Sequence, residues 1–307
     1  MPHNDASLPA FVAIGEALTD MIVESGEPDC WRSKVGGSTW NVARAMARLG
    51  VPSAFAGAIS EDVFGDALWK ASAAAELDLR YLQRVNKAPL LAFVHRTDPP
   101  DYFFVGDDSA DLHFAPERLP AGWIGSCKWA HFGGISLARP PLAARLVALA
   151  RTLKLAGIAV SFDPNYRKLA NGRFDDSLRE MTALADVVKV SEEDLLGLFR
   201  DADIERSFAT LRSWNPGAHY LYTKGARGAS LHIGNEQWSA PPPRIEVIDS
   251  VGAGDASIAA LAYSLLRHRE RSPQQHLGFA VAAGAAACLS QGATPPSLAS
   301  IETLLPY

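Results

Sequence analysis

Cysteine is scarce in this chain, and so are long apolar runs and blocks of one charge. The three cysteines, Cys30, Cys127 and Cys288, are odd in number and too widely spaced for a metal knuckle. They read as buried or free thiols of a reducing cytoplasm, which is the expected location. The stretch from Met1 to Pro9 is polar and lacks the basic and apolar regions of a signal peptide. The longest uncharged stretch, Leu277 to Ala293, is rich in Ala, Gly and Ser. It is short for a membrane span and reads as a buried helix followed by a turn, so no membrane partner is expected. The net charge of −5 comes without any Lys/Arg run, which argues against nucleic acid as a partner. A Walker P-loop is excluded because the chain contains no Gly-Lys dipeptide.

What is present is the composition of an ordinary soluble core: 48% hydrophobic and 21% charged residues in a chain of 307. That length suits one large α/β unit, with or without a small appendage. Phe11 to Gly15 reads as a strand entering a loop, and Thr19 to Glu24 continues with β-type residues. Asn41 to Leu49 has helical apolar spacing with Gly50 as its C-cap, and Val51 to Ala58 follows as a strand. Leu90 to Arg96 and Tyr102 to Val105 form a hairpin signal around the turn Thr97 to Asp101. That pair stands outside the α/β rhythm and predicts a small side sheet. From Trp129 the alternation is regular. Strands are expected at Trp129 to Phe132, Ile158 to Phe162, Asp186 to Val190 and His219 to Thr223. Helices are expected at Pro141 to Ala156, Ser177 to Leu184 and Glu192 to Phe199. This pattern implies a mostly parallel sheet covered on both faces, with ligands at the carboxyl ends of its strands.

The sharpest local feature is Asp249-Ser250-Val251-Gly252-Ala253-Gly254-Asp255, which opens directly onto a helical run. Small residues allow a ligand close to the backbone, and free N–H groups at a helix start favour an anion such as a phosphoryl group. Asp255 stands at that helix start, where a carboxylate can take a proton from an attacking hydroxyl. Taken alone, the same loop also reads as a plain turn with a helix cap. A nicotinamide-binding loop fits less well, because Ser257 stands where a third glycine is needed.

At this loop the chain resembles the second signature of the PfkB/ribokinase-like carbohydrate kinases, and most of all their fructokinase-like members. The first signature of that family is matched by Gly36-Gly37-Ser38-Thr39-Trp40-Asn41-Val42-Ala43, followed by Leu49-Gly50. Gly15 to Asp20 is similar to the family's first strand and its substrate-binding aspartate. Ser60 to Gly65 falls where the family has a Gly-x-Asp-x-Phe-Gly turn. Asp163-Pro164-Asn165-Tyr166-Arg167 resembles a segment of fructokinase and 2-keto-3-deoxygluconate kinase relatives. The resemblance spans nearly the whole chain. It implies a three-layer αβα fold over residues 1–307 with a mostly parallel sheet, and a small β lid from about Asp20 to Val35 and Leu90 to Phe114.

The resemblance also implies roles. Asp255 is the base, with Gly252, Ala253 and Gly254 as the anion loop. Asp20, Gly36, Gly37, Asn41, Tyr102, Phe104 and Arg167 are the expected substrate residues. Lys189, Ser191, Thr223, Gly225 and Gly228 are expected on the ATP side together with Gly252 and Gly254. Asp194 stands in the family's acidic motif and would help order Mg²⁺ through water. Asp249 would help hold a monovalent cation such as K⁺, with carbonyls of Val251, Ala287, Ser290 and Gly292. Val281 stands where many members place an Asn beside the adenine. Trp40 either stacks on a sugar face or packs in the core.

The implied reaction is ATP-dependent phosphorylation of a primary hydroxyl, with closure of the lid excluding water. The lid aromatics Tyr102, Phe103 and Phe104 and an exposed strand edge imply a homodimer formed through the lid. Keto-acid kinases of this type carry an Arg just after the lid aromatics, and Val105-Gly106 lacks it. A neutral ketose such as fructose is therefore expected first, then 2-keto-3-deoxygluconate, then ribose or a nucleoside. A non-catalytic sugar sensor on the same fold is the contrasting reading, and the intact base and anion loop speak against it.

Overall fold

The computed structural model describes residues 7–24, 27–97, 100–167 and 174–305. Asp98 and Pro99, in the turn expected between the lid strands, lie outside the described residues, as do residues 1–6 of the polar N-terminal stretch.

The large sheet begins with β1 (Phe11–Ile14), β4 (Ser53–Ser60) and β5 (Leu82–Val85). It continues through β8 (Trp129–Gly133), β9 (Ala159–Asp163), β10 (Val187–Ser191) and β11 (His219–Thr223). The hairpin β12 (Ala229–Ile233) and β13 (Glu236–Ala240) closes one edge. The spatial order is β13-β12-β11-β10-β9-β8-β1-β4-β5. From β11 to β5 neighbouring strands run parallel, and β12 and β13 are antiparallel. Every residue of β1, β4 and β8 is buried, as a sheet covered on both faces requires.

One face is covered by α1 (Ser38–Arg48), α2 (Val63–Ala74), α8 (Ala253–Arg267) and α9 (Pro273–Ala287), with α10 (Leu298–Glu302) beyond. The other is covered by α4 (Leu142–Leu155), α5 (Phe174–Leu184), α6 (Glu192–Phe199) and α7 (Ile204–Ser213). The short α3 (Trp123–Ser126) leads into β8. The Ala- and Gly-rich faces of α8 and α9 let these helices pack closely. Leu277 to Ala287 thus belongs to a buried helix and residues 288–292 to the turn after it, as the sequence predicts. No described helix is long and apolar enough to cross a membrane.

The second sheet has the order β3-β2-β6-β7, built from β2 (Leu18–Glu24), β3 (Glu27–Gly36), β6 (Leu91–Thr97) and β7 (Pro100–Val105). It is narrower than the expected lid, because Leu112 and Phe114 are buried in the core of the main unit. Strand alternation splits the lid aromatics. The register Asp20↔Ala92↔Phe104 and Val94↔Tyr102 puts Tyr102 and Phe104 on the Asp20 face. Trp31, Phe93 and Phe103 pack ring to ring on the opposite face, where Phe103 is 51% exposed.

Candidate active site

Two helix starts meet at the strand ends of the large sheet. Helix α1 follows Gly36-Gly37 and presents Ser38 and Asn41, three residues apart, on one face. Helix α8 follows Gly252 and carries Asp255 in its first turn. Ser38 Oγ donates to Asp255 Oδ1 at 2.7 Å, and Asn41 Nδ2 donates to Oδ2 at 2.9 Å. Gly252 has φ +83°, and a Cβ there would sit 2.8 Å from Ala293 Cα, so the loop turns and packs only with glycine. Asp255 keeps part of its surface open, yet protein crowds its carboxyl. Burial pushes its pKa up, while Ser38, Asn41, Lys189 and Arg167 draw it back without cancelling the rise. An upward shift brings a general base nearer to its working pH.

Behind the loop lies Lys189, buried in the middle of β10. Its Nζ is 3.1 Å from where a Cβ on Gly254 would stand. It lies 3.1 Å from Asp163 Oδ2, short of hydrogen-bond alignment, and 3.6 Å from Asp194 Oδ2. Asp163 Oδ1 accepts from the same ammonium at 3.3 Å. Burial alone would lower Lys189, but attraction from Asp163, Asp194 and Asp255 outweighs it and keeps the ammonium charged. These carboxylates hold the single ammonium in place beneath the glycine loop. Removing one partner of such a buried pair costs about 3–5 kcal/mol.

The four-stranded sheet supplies the opposite wall. Asp20 touches Gly36 so closely that a Cβ there would collide with its Oδ2. Burial pushes the Asp20 carboxyl up to about 6, with Arg167 and Lys34 pulling the other way. The Arg167 guanidinium donates to the carbonyls of Asn165 and Tyr166, at 3.3 and 2.6 Å, and sits 5.6 Å from the Tyr102 ring centre. From there its charge acts on both Asp20 and Asp255. Phe104 packs edge-on to Tyr102 and against the small cluster of Leu18, Leu90, Ala92 and Ile135. Trp40 is fully buried and donates to Ser72 Oγ at 2.9 Å, which makes it a core residue.

The expected nucleotide residues gather toward β11. Thr223 pairs with Ser191 across the strands, and its Oγ1 donates to the Val190 carbonyl at 3.4 Å. Gly225 and Gly228 form the turn from β11 into β12. Ser191 and Asp194 form a reciprocal cap on α6. The Asp194 carboxylate accepts from Ser191 N at 2.7 Å and from Tyr166 N at 2.8 Å. Burial opposes its charge, but Lys189 and these donors hold the carboxyl below the usual range. Asp249 accepts from Val251 N at 3.0 Å and from Gly292 N at 2.8 Å, tying the glycine loop to the turn after α9. Among the described residues no cluster of three or more His, Cys, Asp or Glu could hold a metal by itself.

Several contributors are not apparent in the sequence. Ser38 lies inside the first signature, and its spacing from Asn41 was the available signal. Asp163 opens the Asp-Pro-Asn segment, and its pairing with Lys189 joins β9 to β10. Lys34 stands opposite Asp20 in the lid register, and its Nζ comes within 3.9 Å of where a Cβ on Gly292 would be. No sequence spacing gives that register.

With this geometry in view, comparison with known proteins is direct. The pfkB family carbohydrate kinase description matches residues 9–300. A fructokinase of Klebsiella pneumoniae is 30% identical over 304 residues, covering 96% of this chain and 95% of that protein. The structure of fructokinase from Xylella fastidiosa with bound ATP has a TM-score of 0.85 at 30% identity, covering 97% of this chain and 98% of the other. A double mutant of Vibrio cholerae O395 fructokinase, in a fructose-, ADP- and potassium-bound form, has a TM-score of 0.84 at 27% identity, covering 98% and 100%. The chain belongs to the pfkB family of carbohydrate kinases.

Proposed function

We propose that this sugar kinase uses ATP to phosphorylate a primary hydroxyl of fructose or a similar neutral ketose. The observation that carries the reading is Asp255, with both carboxylate oxygens held by the first turn of α1 and its position fixed at the start of α8. Similarity to fructokinases along almost the whole chain supports the choice of sugar.

In this reading the sugar lies between the Asp20 face of the lid and the start of α1. Asp20 and Asn41 hydrogen-bond its hydroxyls, and Gly36 and Gly37 let it approach the backbone. A lost partner at such a site leaves a buried polar group unpaired, which is how hydroxyl patterns are selected. Asp255 takes the proton of the primary hydroxyl as its oxygen attacks the terminal phosphorus of ATP. Amide N–H groups around Gly252, Ala253 and Gly254 stabilise charge on the transferring group, with Lys189 behind them. Arg167 offers a planar fork to the substrate or the phosphoryl group. Thr223, Gly225 and Gly228 line the nucleotide side beside Ser191.

Magnesium carried on ATP neutralises phosphate charge. Asp194 fits an outer role toward it through water, since both its oxygens already accept backbone N–H groups. Asp249 and the carbonyls of Val251, Ala287, Ser290 and Gly292 would hold K⁺ beside the loop. The four-stranded sheet acts as a lid over a single unit, and its outward aromatic face pairs two copies of the chain. A cytoplasmic location suits free thiols.

The test is a coupled ADP-release assay with Mg-ATP and a panel of fructose, 2-keto-3-deoxygluconate, ribose and adenosine. Fructose is expected to give the highest kcat/KM. Turnover on adenosine or the keto-acid alone would overturn the choice of sugar, and no turnover on any sugar would overturn the kinase reading.

A further inference from the structure

Arg44 has no role in the chemistry described so far, yet it touches three parts of the site. Its guanidinium carbon lies 4.3 Å from the centre of the Trp40 ring. Its Nη1 donates to the Ala293 carbonyl at 3.2 Å and reaches Asn41 Oδ1 at 3.5 Å. Trp40 is itself locked by its bond to Ser72, so the platform under the guanidinium is rigid. Ala293 is the residue that packs against Gly252.

We propose that Arg44 is a positioning residue for phosphoryl transfer: it fixes the Asn41 amide so that its NH₂ group faces Asp255, and it clamps the turn behind the glycine loop. The inference rests on the reading of Asp255 as base. The two ends of an Asn amide have nearly the same shape, so packing alone does not choose between them. The flanking groups do. Arginine only donates, and an ionised carboxylate only accepts. With Arg44 on the oxygen side and Asp255 on the nitrogen side, one orientation makes two favourable contacts and the flipped one makes two repulsive ones. Asp255 is also faced by Ser38 on α1, Lys189 on β10, Asp163 at the end of β9 and Arg167 in the segment that follows. Arg44 acts on it through Asn41 rather than by direct contact.

The test compares wild type, Arg44→Met and Arg44→Lys, each also in an Asn41→Ala background. Met keeps bulk over Trp40 and removes the fork, so the fold is retained and thermal melting checks it. Loss of one hydrogen bond to a charged group corresponds to about a tenfold fall in kcat. Arg44→Met is expected to show that fall with KM for ATP little changed and KM for sugar raised, since the freed Asn41 amide also faces the sugar. The acid limb of its pH–rate profile moves to higher pH, since Asp255 loses a donor. Lys restores part of the rate. In the Asn41→Ala background Arg44→Met costs almost nothing further. An unchanged kcat and acid limb, or an equal loss in both backgrounds, overturns the proposal. The side-chain amide NMR signal of Asn41 gives a readout independent of turnover. It is expected to be sharp in wild type and broadened or shifted in Arg44→Met, and an identical signal in both overturns the proposal. Should wild type phosphorylate no sugar, the function reading falls on that result and the amide signal still decides what Arg44 does.

Discussion

Asn41 Nδ2 donates to Asp255 Oδ2 at 2.9 Å, across 214 residues of sequence. This bond joins the first turns of α1 and α8, so the two sequence signatures form a single wall. Ser38 makes the parallel bond to the other oxygen. The two bonds fix the orientation of the carboxylate, which is the preorganisation its proposed role as base needs.

Asp255→Asn keeps the size of the side chain and removes the proton acceptor. It is expected to lower kcat by about 10²–10⁴-fold, the range for general base catalysis, while ATP still binds. ADP release measured beside nucleotide binding checks both. A rate within a few-fold of wild type would remove Asp255 from the role of base.

The acid side of the pH profile follows from two raised carboxyls. Asp20 is pushed up to about 6 by burial, and Asp255 is also shifted upward. A carboxyl with a raised pKa is protonated at higher pH, so acceptor capacity disappears as pH falls through about 6. kcat/KM for the sugar is expected to be flat above that point and to fall about tenfold per unit or more steeply below it. A profile flat down to pH 4.5 would contradict this.

Gly36→Ala brings a Cβ into Asp20 Oδ2. Asp20 must move, and in the proposed reading the sugar loses an acceptor. KM for the sugar is expected to rise at least about tenfold, equivalent to about 1.4 kcal/mol, with KM for ATP unchanged. Steady-state kinetics with each substrate varied separates the two.

Glu16, at the end of β1, is buried and accepts from Ser136 N and Oγ at 3.2 and 2.6 Å. Burial pushes it from 4.5 up to about 7. Below its ordinary pKa both folded and unfolded states are protonated and nothing is lost. Between there and about 7 the unfolded chain releases its proton first, so stability falls as pH rises. The full effect is on the order of 3 kcal/mol. Glu16→Gln cannot ionise, so its melting temperature relative to wild type should rise between pH 5 and pH 8. A constant difference would show that Glu16 is not held protonated.

Phe103 is half exposed on the outward face of the lid beside Phe93 and Trp31. Phe103→Lys is expected to turn a dimer into a monomer in light scattering. Burying such a ring contributes about 1.5–3 kcal/mol per copy. A monomeric wild type would remove the lid-paired dimer.

The sequence by itself determined much of this protein. Alternating apolar runs require a covered parallel sheet, because strands such as β1 and β8 have no polar face to leave in water. The short small-residue loop ending in Asp255 and the glycine pair before α1 mark the family. Trp40 shows the limit of such a reading. Its type allows either a sugar platform or a core residue, and only packing against Ser72 and Arg44 decides between them. The same holds for Lys34 opposite Asp20, for Phe103 facing away from Tyr102, and for Arg44 beside Asn41. These relations depend on strand register and on the meeting of segments far apart in the chain. Local propensity and periodicity act over a few residues and carry no record of which distant neighbour fills the space. Close packing supplies it, because burying the apolar faces brings together distant groups such as Lys189 and Asp163 that must then pair.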